Sequence, residues 1–210
     1  MVNFEALARK HGLRALAVIG SRARGDHGEY SDLDLIGLSE QPGFERFVEQ
    51  GLVVELHIAR DLSDWFNKPS WWYALGEMDI KVDDGTLSAL SASVERWRSE
   101  YSPPLDQVRR NRDWLEATIR KLQNAESELE TAYLITTSTW EILAGVFIAQ
   151  RMPVPASSHM FRLAGQVVGE DRFAVLLEGQ LPERTRVAVE LCRQTVRAHD
   201  SRLAAAAADA

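Results

Sequence analysis

The chain changes character at Ser102-Pro103-Pro104, and this break limits the folds open to it more than any other feature. Before the break, short apolar runs alternate with short amphipathic stretches. Residues 4–11 have helical spacing, and 13–19 form an apolar run that ends at Gly20. Residues 31–38 alternate acid and apolar side chains, 43–50 read as a short helix, and 52–58 are strand-like around one acid. Residues 78–82 lead into the turn Asp83-Asp84-Gly85, and 86–100 are helical again. Short strands alternating with short helices predict a sheet with helices packed on it. Beyond the break no strand is expected. Helices are predicted at 105–123, 125–151, 157–168, 171–179 and 182–203, interrupted at Met152-Pro153-Val154-Pro155, at Gly169 and between Gly179 and Pro182. The expected fold class is α+β. A catalytic-size domain spans 1–101, a helical bundle spans 105–203, and an alanine-rich tail at 204–210 is expected to be flexible.

Composition narrows the functional classes. Of 210 residues, 45% are apolar and 26% charged, the balance of a folded soluble domain and not of a disordered or collagenous chain. The single cysteine, Cys192, excludes an internal disulfide and suits a reducing, cytoplasmic setting. Glu5, Arg9 and Lys10 interrupt the first ten residues, which therefore do not read as a signal peptide. The most apolar stretch, 131–150, contains Glu141 and several threonines and reads as a buried helix, not a membrane span. The net charge of −7 argues against a nucleic-acid backbone as partner. Its acid excess falls in the first hundred residues, where it fits either a divalent-cation site or an ordinary solvated surface.

The segment Val18-Ile-Gly-Ser-Arg-Ala-Arg through Asp32-Leu-Asp-Leu35 carries the chemistry. Gly20 permits a tight turn with close backbone approach. Ser21 opens a short helix whose free N–H groups, with the serine hydroxyl, suit a phosphate, and Arg22 and Arg24 could add charge against it. After ten residues that follow Ser21, Asp32 and Asp34 fall on one face of a strand, about 6–7 Å apart at Cα, while Leu33 and Leu35 face the core. Two like charges so placed favour a cation between them. Glu55 is a lone acid on a later apolar strand and completes a three-carboxylate set for two metals about 3.5–4 Å apart, the arrangement of in-line phosphoryl or nucleotidyl transfer.

This pattern, Gly-Ser followed by Asp-Leu-Asp-Leu and a later lone acid, resembles the nucleotidyltransferase superfamily of polymerase-beta type. The resemblance covers about residues 13–90 and includes the closing stretch Lys81-Val-Asp-Asp-Gly-Thr-Leu87. With a helical second half, the chain is similar to the small two-domain aminoglycoside and lincosamide nucleotidyltransferases. The resemblance implies that Asp32, Asp34 and Glu55 hold Mg2+ at two sites, and that Gly20, Ser21, Arg22 and Arg24 hold ATP or another nucleoside triphosphate. It implies transfer of a nucleoside monophosphate to a hydroxyl of a small acceptor, aminoglycoside-like antibiotics among them, with the helical half helping to bind that acceptor. The third acid is Glu where many members have Asp, which keeps the charge and lengthens the arm.

Four further features allow more than one reading. Glu141 stands alone among apolar residues, as a structural acid, paired or hydrogen-bonded, as an acid exposed at the bundle surface, or as a general base on the acceptor (a role the resemblance implies). His57 shares a strand face with Glu55, and either reaches the site or is structural. Trp71-Trp72-Tyr73 would stack on a base or sugar, or fill a core between the domains. Arg193 and His199 match a loose Arg-x(4–6)-His ribonuclease spacing, or lie on a solvated helix face. The competing functions are an antitoxin-like transferase that adds AMP to a protein, with the helical half as its interaction domain, and an inactive nucleotide-binding protein. No membrane association is expected, and a homodimer is compatible with the sequence.

Overall fold

The computed structural model describes residues 2–209, which fall into two compact units dividing after Glu100. The first unit is α1 (Phe4–Lys10), β1 (Ala15–Val18), α2 (Gly20–Arg24), β2 (Leu33–Leu38), β3 (Gly43–Glu49), β4 (Leu52–Ala59), α3 (Ser63–Phe66), a 3-10 turn at Pro69–Trp71, α4 (Trp72–Gly76), β5 (Asp79–Val82) and α5 (Thr86–Glu100). Its strands form one five-stranded sheet in the order β3-β4-β2-β1-β5. Only β2 and β4 run parallel. The fold class is α+β, as the alternation of short elements predicted.

Period-two alternation sorts the sheet into faces. Leu16, Val18, Leu33, Leu35, Val54 and Leu56 join one core with Leu7 and Ala8 of α1. Ala15, Ala17, Ile36 and Leu38 point the other way and are equally buried, so the central strands are covered on both sides. α5 contributes buried Leu87, Leu90 and Val94 and contacts β1 and α4. The segment 59–77, for which the sequence predicted no element, is folded by its aromatics. Trp72 donates from Nε1 to the carbonyls of Trp65 and Phe66, at 3.3 and 3.2 Å, and packs with the Phe66 and Trp97 rings. Arg98 lies 4.7 Å over the Tyr73 ring. Trp72 and Tyr73 are thus buried by partners within their own unit.

One element differs in kind from its prediction. Residues 43–50 are not a helix: Gly43–Glu49 is strand β3. It pairs antiparallel with β4 from Gly43↔Ile58 to Glu49↔Leu52. Gln50 and Gly51 form the two-residue turn, both at positive φ (51° and 79°), the conformation of a hairpin turn that matches sheet twist. Pairing along a whole neighbouring strand outweighs the helical spacing of three side chains in so short a segment.

The second unit is helical throughout its described residues: α6 (Leu105–Gln123), α7 (Glu128–Ala149), α8 (Ser157–Val168), α9 (Glu170–Glu178) and α10 (Leu181–Ala208). Leu115, Ile135, Ile142, Phe147, Met160, Leu176 and Leu191 belong to its core. By length and composition α7 could cross a membrane, but Ile135, Ile142 and Phe147 place it inside this core. α10 continues to Ala208, so alanines expected in a loose tail extend the helix instead, in line with their high helix propensity. His199 is completely buried, donates from Nε2 to Asn111 Oδ1 at 2.9 Å, and has its pKa pushed down to about 4 by burial. It therefore lies on no solvated face, and Arg193 is exposed without it.

Candidate active site

The sheet brings the predicted acids to one place. Parallel pairing sets Asp34 of β2 beside Glu55 of β4. Asp32 lies two residues before Asp34, just ahead of β2. Burial raises the Asp34 carboxyl above its usual range, the Glu55 and Asp32 charges push it further, and Arg24 offsets part of this. The three carboxylates thus act on one another electrostatically. Glu141 does not join them in the first unit. It is exposed on α7 and lines a cavity of about 400 Å³ with Trp114, Trp140 and Gln107. Of the readings open to it, this exposure matches an acid at the bundle surface.

Gly20 explains how Asp34 is approached. It sits at φ +71°, where side chains other than glycine are strained, and a Cβ there would stand 2.7 Å from Asp34 Oδ2. Ser21 follows in α2, whose first turn is capped by no side chain. The two arginines hold the intervening loop. Arg22 donates to the carbonyls of Ser31 and Asp32, fixing the approach to β2. Arg24, its side chain 14% exposed, pairs with Asp26 at 2.9 Å and Glu77 at 3.5 Å. Both arginines therefore stabilise the loop as well as standing near the turn.

Arg46 is a site residue that sequence reasoning missed. It lies opposite Glu55 in the β3–β4 hairpin and reaches Glu55 at 3.4 Å and Asp32 at 3.7 Å. The signal that could have found it was the Gln50-Gly51 pair between two strand-length runs, which sets the hairpin register. Among the described residues, no three His, Cys, Asp or Glu side chains stand close enough to hold a metal ion as they are. Arg46 supplies the positive charge instead. The donor set is carboxylate oxygen, the kind Mg2+ prefers, and Gly20 leaves the Asp34 oxygen uncovered. These residues fit a divalent ion once Arg46 swings aside. Arg46→Met is therefore expected to tighten Mn2+ binding up to about 5-fold in the absence of nucleotide, the worth of an exposed ion pair. Electron paramagnetic resonance of free Mn2+ reads this, and unchanged or weaker affinity would show that Arg46 does not compete.

The Gly20-Ser21 turn thus stands beside paired acids on neighbouring strands. The comparisons bear on what such a domain does. Residues 4–75 match the nucleotidyltransferase domain family. A nucleotidyltransferase-like protein from Exiguobacterium sibiricum 255-15 shares the fold at a TM-score of 0.50 and 12% identity, over 92% of this chain and 73% of that one. No curated protein sequence matches the chain. Residues 4–75 thus carry a nucleotidyltransferase domain, the domain of enzymes that transfer nucleoside monophosphates.

Proposed function

We propose that the protein transfers AMP from ATP to a hydroxyl of a small-molecule acceptor and releases pyrophosphate. The observation that carries this reading is the approach of Gly20 to Asp34, in register with Glu55. Ser21 and the α2 backbone receive the triphosphate tail. Asp32, Asp34 and Glu55 would hold Mg2+, which neutralises charge on the phosphates and favours ionisation of the attacking hydroxyl. In the transfer, the acceptor oxygen bonds to the α-phosphorus as the bond to the pyrophosphate oxygen breaks. The hydroxyl proton passes to a carboxylate, with Glu55 the residue suited to receive it.

Isothermal titration with ATP, GTP, CTP and UTP, each with and without Mg2+, tests the reading. Wild type is expected to bind one triphosphate, ATP, only with metal, and the Asp32→Ala/Asp34→Ala variant to bind none. A folded wild type that binds no triphosphate overturns it, and binding of another base corrects the donor.

A further inference from the structure

Along β4, one strand repeat beyond Glu55 and on the same face, His57 lines a cavity of about 310 Å³ with Phe44, Trp71 and Lys68. Its ring lies 4.7 Å from Phe44 and 4.7 Å from Trp71, the latter edge-on. Lys68 Nζ stands 5.8 Å over the Trp71 ring. The volume is at the lower end of small-ligand pockets, which begin at about 300 Å³.

The place of this niche in the sheet bears on what fills it. The order β3-β4-β2-β1 puts the turn at Gly20-Ser21, after β1, on the far side of Asp34 from β4. Adjacent strands are about 4.8 Å apart, so the turn and the niche flank the acids from opposite sides. In-line displacement requires the incoming oxygen to approach the α-phosphorus opposite the departing pyrophosphate. With the phosphate tail at the turn, the incoming oxygen comes from the β4 side, where the niche lies. We propose that Phe44, His57 and Trp71 seat the ring of the acceptor, a ring-bearing alcohol whose hydroxyl is thereby aimed past Glu55. This rests on the nucleotidyl-transfer reading above and assigns specificity-determining residues to it.

The test uses the full chain with Mg2+ and α,β-methylene-ATP, which cannot be turned over. Methyl α-D-glucopyranoside, myo-inositol and 4-hydroxyphenethyl alcohol serve as ring probes in saturation-transfer NMR. At least one should bind the loaded wild type. Trp71→Ala should weaken it about 10- to 100-fold, as removal of a stacking ring does, and Trp71→Phe should restore it to within about 3-fold. Both variants should hold α,β-methylene-ATP within about 2-fold of wild type, with circular dichroism confirming that each is folded. Three outcomes overturn the proposal: no probe binds the loaded wild type, probe binding ignores Trp71→Ala, or Trp71→Ala weakens the ATP analogue while sparing tripolyphosphate. The last would make the niche the nucleobase pocket. If the analogue itself fails to bind wild type, the nucleotidyl-transfer reading fails first and takes this one with it.

Discussion

Asp34→Asn is expected to abolish magnesium-dependent ATP binding and transfer while making the protein harder to melt. The functional loss follows from removing a charged oxygen where a divalent ion would stabilise the phosphates. That stabilisation is worth several kcal/mol, or about 10³-fold in rate at 1.36 kcal/mol per tenfold. The gain in stability follows from the direction in which Asp34 is perturbed. Its carboxyl is raised by burial and by the Glu55 and Asp32 charges, so the folded state holds the proton more tightly than the unfolded chain does. Stability therefore falls as pH rises from the ordinary aspartate range through the raised value, and at neutral pH the ionised group carries that full cost. Asparagine keeps the shape and removes the charge. A thermal melt at pH 7 should show Tm a few degrees higher for the variant, with the difference shrinking towards pH 4. Equal or lower Tm at pH 7, or ATP binding that still needs magnesium, would contradict this account. The residue most exposed to its like-charged neighbours is then one that function retains against stability.

Gly20→Ala should be damaging in both respects. The added Cβ meets Asp34 Oδ2 at 2.7 Å, and the residue sits at φ +71°. Forcing alanine into that region costs about 1–2 kcal/mol. Relief of the contact must come from the Asp34 side chain or from the turn, and each change moves one half of the site against the other. The expected result is a loss of about 1–3 kcal/mol in denaturant unfolding and of at least about 100-fold in Mg-ATP affinity. Gly25→Ala is the informative partner. Gly25 also has positive φ (79°), but a Cβ there meets nothing within 4 Å. It should reproduce the strain and spare the affinity. Equal affinity losses in the two variants would mean that backbone strain alone, and not the approach to Asp34, sets the site.

Much of this was legible in the sequence because it is local. The alternation across β2 sends Leu33 and Leu35 into the core and Asp34 outward, and the prolines and glycines of the second half mark most helix ends. Features that depend on pairing between segments were not legible. Phe44, Phe47 and Val48 satisfy a helical period as well as they satisfy an edge strand, and only the hairpin decides. Once that strand was missed, Arg46 had no reason to stand out, since nothing within its own segment puts it opposite Glu55. The aromatic run at 65–73 showed that rings were present but not which rings would meet, because Trp97 arrives from α5. Glu141 was singled out by its apolar neighbours along the chain, yet on α7 it projects to solvent.

The two-residue turn at Gln50-Gly51 has a consequence for how this enzyme could be re-engineered. One uninterrupted stretch, 43–59, carries Phe44, Arg46, Glu55 and His57, and its register is locked at both strands by a turn that tolerates no slack. These four side chains are therefore inherited as a block. A chimaera that exchanges the hairpin whole would transplant the acid, its compensating cation and the neighbouring aromatics in one move. Inserting a single residue in either strand would shift the pairing by one place and turn the side chains beyond it to the opposite face. Selectivity in such a scaffold is better varied by cassette than by point insertion.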